Sequence, residues 1–316
     1  MASPATGPRR KLPVDLPRGR LIAHRGGAAH APENTLQALA GAAMLGTDWA
    51  EIDIRLTACG TPVLMHDADI RATTDAAGRV SALTAAQVAV LDAGAWFGTA
   101  DALASREPPP TLARALGLAA RIGLGIDLDL KLDAHGTTTA TATAAARLVG
   151  AVAGALAGAG MPQRRIILTS AAPEVLAAAA RLLPQVPRGP VLRRPGDIGR
   201  AGMAACIADG DVLVLNACRF GPARIRAMRA AAVAATGTAP MILLYGSGSH
   251  RRLNRRFTAG ADAAIVDAPD RLFGAPLPTP LLPVALRRWR NARRRKGAPS
   301  TAAGGGPIPP SPVRVG

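Results

Sequence analysis

Between residues 20 and 270 short apolar runs alternate with alanine-rich stretches of helical period. That alternation is expected of a parallel sheet whose helices cover it, an α/β fold. It predicts strands at Arg20–His24, Trp49–Ile54, Pro62–His66, Leu124–Leu130, Arg165–Thr169, Val191–Arg193, Val212–Leu215, Met241–Tyr245 and Ala263–Val266. Helices are predicted at Asn34–Leu45, Thr111–Arg121, Thr137–Leu156, Pro173–Leu183, Pro222–Ala235 and His250–Ala259. The nine strands are one more than a closed eight-stranded barrel needs. Residues 67–110 break the rhythm with Thr73, Thr74, Gly78, Trp96, Phe97 and a run of three prolines, and read as an insertion or lid.

Composition changes little in this picture. The chain of 316 residues is 49% hydrophobic but only 3% aromatic, so Ala, Leu, Val and Ile must build the core. Its net charge of +17 invites a nucleic-acid or membrane reading, but the charge sits at the ends. Residues 1–20 are net +4, and nine basic residues with no acid lie beyond Asp270, which leaves the middle near +4. The basic tail has Trp289 as its one aromatic and no recognition motif, so nucleic acid is not expected as a partner.

The expected organisation is a flexible segment at 1–19, one domain at 20–274 and a disordered Pro/Arg/Gly-rich tail at 275–316. Within the tail, 281–295 could form a short basic helix, either solvated or in peripheral contact with an anionic membrane. Three scattered cysteines suggest neither disulfides nor zinc and fit a reducing compartment. Arg9 and Arg10 are not followed by an apolar signal run, and the most apolar long segment, 137–161, carries Arg147, so a cytoplasmic protein is expected.

Four groups of residues carry candidate chemistry. Glu51 and Asp53 alternate on one strand and project from one face, an arrangement that suits a cation or a solvated surface strand. If Ala58 and Cys59 centre a tight antiparallel turn, Asp53 faces Leu64 and Glu51 faces His66; a parallel return would undo that register and still leave His66 at a strand end. His24 ends the first strand, where a barrel collects catalytic groups; a lone histidine there could be a core residue, but Arg25, the two glycines and Pro32-Glu33-Asn34-Thr35 favour function. Asp127, Asp129 and Lys131 alternate as well, and are either an internal ion pair or a site for a metal and a phosphate.

In order and spacing, His24-Arg25-Gly26, Pro32-Glu33-Asn34-Thr35, Glu51 with Asp53, Thr57 with Gly60, and His66-Asp67 resemble the signature of the glycerophosphodiester phosphodiesterase family. The resemblance runs on through Thr73-Thr74, Leu91–Gly94, Pro110–Leu112, Asp129 with Lys131, Thr169-Ser170, Gly260 with Asp262, and Asp267 with Pro269. It implies a TIM-type (β/α)8 barrel with a small insertion after the strand ending at His66. It also implies one divalent cation, Ca2+ or Mg2+, held by Glu51, Asp53 and Asp129, with His24 and His66 as the acid/base pair and Arg25 and Lys131 on the phosphate. Glu33 and Asn34 belong to the same signature, Glu33 either orienting the His24-Arg25 loop or joining the metal shell.

The chain departs from the family pattern at three places. Asp129 replaces a glutamate, Cys59 replaces an aspartate, and Tyr245 stands where a tryptophan is common, as a substitute aromatic in the substrate pocket. The implied reaction is hydrolysis of a glycerophosphodiester to glycerol phosphate and an alcohol. Two alternatives are a phospholipase D-like action on lysophospholipids, which Trp96, Phe97 and the basic tail would serve, and a non-catalytic barrel that binds a phosphorylated ligand or a membrane.

Overall fold

A computed structural model describes Asp15 and residues 20–97, 107–133, 137–199 and 202–273. The predicted terminal segments, including the tail helix at 281–295, lie outside these residues.

Nine strands form one sheet: β1 Leu21–His24, β2 Trp49–Leu56, β3 Pro62–Leu64, β4 Gly125–Leu130, β5 Ile166–Ser170, β6 Arg188–Leu192, β7 Val212–Asn216, β8 Met241–Tyr245 and β9 Ala263–Val266. Eight of them pair in parallel in the order β1-β2-β4-β5-β6-β7-β8-β9, and β9 returns to β1, closing the expected TIM-type barrel. The surplus strand is β3, which folds back antiparallel on β2.

The helices are α1 Leu36–Met44, α2 Ala85–Val88, α3 Leu112–Ile122, α4 Thr138–Ala157, α5 Pro173–Leu182, α6 Met203–Asp209, α7 Pro222–Thr236, α8 His250–Phe257 and α9 Asp270–Phe273. Side-chain caps from Thr35, Thr111, Thr137 and Ser249 and prolines at the starts of α5 and α7 explain why those six helices were readable. The missed α6 is preceded by Gly202 in the left-handed conformation and has no side-chain cap. The helix α4 is apolar and long enough to cross a membrane by composition, but Ala145, Leu148, Val149 and Val152 pack it into the barrel's coat.

Strand alternation sorts the interior into two layers. Leu21, Leu213, Leu215, Ile242, Leu244 and Val266 face the helices, whereas Ile22, Trp49, Ile167, Val212, Val214, Leu243 and Ile265 fill the bore. Trp49 plugs the lower end. Its ring lies over Gly125, its partner in β4, where an added Cβ would come within 2.5 Å of the indole. Above this plug the same inward positions turn polar, and the site begins there.

The predicted hairpin register is corrected by one residue. Ala58 and Cys59 do centre the turn, with the Gly60 N–H donating to the Thr57 carbonyl. Gly60 then adopts φ +83 and adds a third loop residue, so Ile54 pairs with Leu64 and Arg55 with Val63. Strand β3 ends at Leu64, before His66. Glu51 therefore does not face His66 across a ladder. Beyond it, the described part of the insertion packs Ile70, Val80 and Val88 against Val63 and Met65.

Candidate active site

The inward positions of β1, β2 and β4 place His24, Glu51, Asp53, Asp127 and Asp129 at the upper end of the bore, with His24 beside Glu51, Glu51 beside Asp127 and Asp53 beside Asp129. Ligand oxygens of Glu51, Asp53 and Asp129 lie within 4.8 Å of one another. All three acids are buried. Asp129 reaches the group despite its short side chain.

Two cations answer them. The Lys131 ammonium lies 2.9 Å from Asp53 Oδ1 and also pairs with Asp129. Arg25 Nε is 3.2 Å from Asp53 Oδ2, and its Nη1 donates to Glu33 Oε1 at 2.7 Å. Glu33 thus holds the arginine. Asn34 Nδ2 donates to Asp53 Oδ2 at 2.9 Å, while the Asp53 N–H donates to Asn34 Oδ1 at 3.0 Å.

This grip needs an unusual backbone. Arg25 and Asn34 sit at φ +52 and +60, a region non-glycine residues enter at some cost, and the Asn34 N–H donates to the Arg25 carbonyl at 3.0 Å. Gly26, at φ +82, lies so near Ala38 that a Cβ would come within 2.8 Å of helix α1's backbone. The loop is further fixed by Glu107, which accepts from Leu36 N–H at 2.7 Å and Gln37 N–H at 3.3 Å at the positive end of α1. Sequence reading missed Glu107, because a carboxylate seventy residues away leaves no local signal.

Electrostatics separates the acids. Burial works against Asp53, but Lys131, Arg25 and His66 outweigh it and hold its carboxyl below the ordinary range. Burial pushes Glu51 well above that range, and Asp53 and Asp129 add to the shift. Asp127, fully buried, accepts from the Thr169 hydroxyl at 2.8 Å; burial still raises it to about 8. Lys131 and Arg25 are held above their usual values by the surrounding carboxylates, against the effect of burial.

Each histidine has a carboxylate on Nδ1. His24 Nδ1 lies 2.5 Å from Asp267 Oδ1 and its Nε2 faces Glu51 at 3.8 Å. His66 Nδ1 lies 2.7 Å from Asp67 Oδ1. The chain leaves the ladder after Leu64, and Arg55, paired with Asp133, donates from Nε and Nη2 to the His66 carbonyl at 2.9 and 2.6 Å. Arg55 was not singled out in the sequence. Tyr245 ends β8 beside Asn216, on the inward side of the bore, and burial raises its hydroxyl pKa above the ordinary value.

Residues 24–271 match the profile of the Glycerophosphoryl diester phosphodiesterase family. The chain is 51% identical over 89 residues to glycerophosphodiester phosphodiesterase 1 of Rattus norvegicus, a stretch covering 28% of this chain and 27% of that protein. A glycerophosphodiester phosphodiesterase of Caldanaerobacter subterraneus subsp. tengcongensis is 42% identical over 78 residues, 25% of this chain and 32% of its own length. The aligned stretches thus span about a quarter to a third of these curated relatives. Among solved structures, a phosphodiesterase of Oleispira antarctica in complex with the product sn-glycerol-3-phosphate superposes with a TM-score of 0.68 at 26% identity, over 81% of this chain and 95% of that one. The glycerophosphodiester phosphodiesterase of Agrobacterium tumefaciens str. C58 gives 0.59 at 25% identity, over 81% and 99%.

Proposed function

Since the chain belongs to the glycerophosphoryl diester phosphodiesterase family, we propose that it hydrolyses glycerophosphodiesters to glycerol phosphate and an alcohol, using a divalent cation and two histidines. The observation that carries this reading is the buried cluster of Glu51, Asp53 and Asp129 beside His24.

The cluster suits a hard cation. Its donors are all carboxylate oxygens, Asp129 Oδ1 is buried without a hydrogen-bond partner, and among the described residues Arg25 and Lys131 pair with Asp53, Asp129 and Glu33. Burying unbalanced charge costs several kcal/mol per ion, roughly, so a further positive charge stabilises the site. Glu51, Asp53 and Asp129 would hold it; when bound, Ca2+ or Mg2+ supplies Lewis-acid stabilisation of charge on a phosphoryl oxygen.

Arg25 and Lys131 line the same space and add positive charge where the phosphate sits. One histidine takes a proton from the attacking hydroxyl and the other gives one to the leaving alkoxide. With Nδ1 on Asp267 and Asp67, Nε2 is the atom of each ring that would carry the transferred proton. Tyr245, at the end of β8, would serve as the aromatic of the substrate pocket.

The test is hydrolysis of a panel of glycerophosphodiesters by chelated protein after return of Ca2+, Mg2+ or Mn2+. Activity restored by a cation and lost in the His24→Ala/His66→Ala protein is expected; full activity in that double variant, or none with any cation, overturns the reading. Lysophosphatidylcholine in the same panel tests the phospholipase D-like alternative, which the partly buried Trp96 and Phe97 edge pair in the insertion would favour.

A further inference from the structure

On the premise of that phosphodiesterase reading, we infer that the β6–β8 side of the mouth receives the alcohol beyond the phosphate. Arg193, Tyr245 and Asn216 there select alcohols that offer hydrogen-bond acceptors and carry no net positive charge. Polyols and alcohols whose ammonium is offset by a carboxylate are accepted, and alcohols with a net positive charge are disfavoured.

Val191 of β6 packs in the bore with Tyr245. Arg193 lies one residue past the end of β6, in the bend that follows the Leu192–Leu215 pair, so its backbone stands at the rim beside the end of β7 that carries Asn216. It is exposed, and its backbone is held rather than its charge: the Arg193 and Arg194 N–H groups donate to Asp197 Oδ2 at 2.8 and 3.0 Å. Among the described residues no carboxylate pairs with the Arg193 guanidinium, yet its charge reaches the Tyr245 hydroxyl.

The tyrosine is set as a donor. Asn216, its partner in β7, uses Oδ1 to accept from the Cys218 N–H at 2.9 Å, which leaves its amide N–H groups for the Tyr245 hydroxyl. A hydroxyl that accepts there keeps its own proton for a ligand. Arginine can only donate. The neighbouring loops bring Arg194 and Arg219, and Arg252 Nη1 lies against Ser247 Oγ at 3.3 Å. Against these cations the described rim of β6–β8 has one acid, Asp197, whose oxygens are already engaged.

Such a wall is wrong for a quaternary ammonium, which needs carboxylates or several aromatic faces. Here the aromatic is Tyr245 alone among the described residues of that rim. A glycerol, an inositol or a serine carboxylate, by contrast, supplies acceptors to both Arg193 and Tyr245.

The test compares kcat/KM for glycerophosphoglycerol, glycerophosphoserine, glycerophosphoethanolamine and glycerophosphocholine in the full chain and in Arg193→Glu. The first two should exceed glycerophosphocholine by about tenfold, the size expected for one partly screened charge, and the ratio should shrink as salt is raised. Arg193→Glu should raise the absolute rate constant for glycerophosphocholine and narrow or invert the order. Binding of the same four diesters to the His24→Ala/His66→Ala protein, followed by calorimetry, gives the order without turnover, so a failure of the hydrolytic reading does not hide this one. Equal treatment of choline and glycerol diesters, or a uniform loss across all four in Arg193→Glu, overturns the inference.

Discussion

The two sides of the barrel mouth are built differently. On the β1–β2–β4 side, acids and cations interlock below the surface, each of Arg25, Lys131 and Asn34 touching Asp53. On the β6–β8 side, Arg193 is exposed, Tyr245 is half-buried and the one acid serves backbone N–H groups. Buried charges are costly to leave uncompensated, whereas exposed ones are screened and cost little to change. One side is therefore a rigid electrostatic centre suited to bond cleavage, and the other an adjustable surface suited to choosing what is cleaved.

Exchanging charges on each side tests this contrast most directly. Asp53→Asn leaves Arg25 and Lys131 buried with a lost partner and should cost about 3–5 kcal/mol in denaturant unfolding. Arg193→Ala should stay within about 0.5 kcal/mol. Similar losses for the two would erase the distinction.

Within the first side, the two histidine partners should differ. Removing a charge-assisted hydrogen bond is worth about 1.5–3 kcal/mol, so Asp267→Asn should lower kcat roughly 10- to 100-fold with KM little changed. Asp67 is more exposed, and Asp67→Asn should cost only a few-fold. Steady-state kinetics separating kcat from KM checks both, and an equal drop would mean that the carboxylates position their rings alike.

The remaining prediction is a pH dependence at Asp127, whose carboxyl meets Thr169 and which burial raises to about 8. The folded protein holds that proton where the unfolded chain, near 4, has lost it. Stability of the chelated protein should therefore fall as pH rises from about 4 to about 8, by at most roughly 1.4 kcal/mol per pH unit, and level off above. Asp127→Asn should flatten that slope in denaturant midpoints taken across the range; an unchanged slope would assign it to other groups.

Much of the site was legible because the acids lie at alternating positions on two strands. Glu51 with Asp53 and Asp127 with Asp129 had to share faces once those runs were strands. The register of the hairpin was not legible, since a glycine bulge and a two-residue turn differ by one residue and the apolar return strand tolerates both. Glu33 could be placed in the signature, but whether it met Arg25 or the acids depended on how the Arg25–Asn34 loop folds.

The sequence by itself determined the alternation of strands and helices, the capped helix starts, the inward-facing acids and the family likeness, all of which follow from spacings of a few residues. Only the tertiary structure decided that β9 closes on β1, that Asp267 meets His24 across 243 residues, that Glu107 caps α1, and that Asn216 and Tyr245 pair at one rim. Periodicity along a chain reports which face a side chain takes; which other face it meets is set by closure of the barrel, and that is a property of all eight strands together.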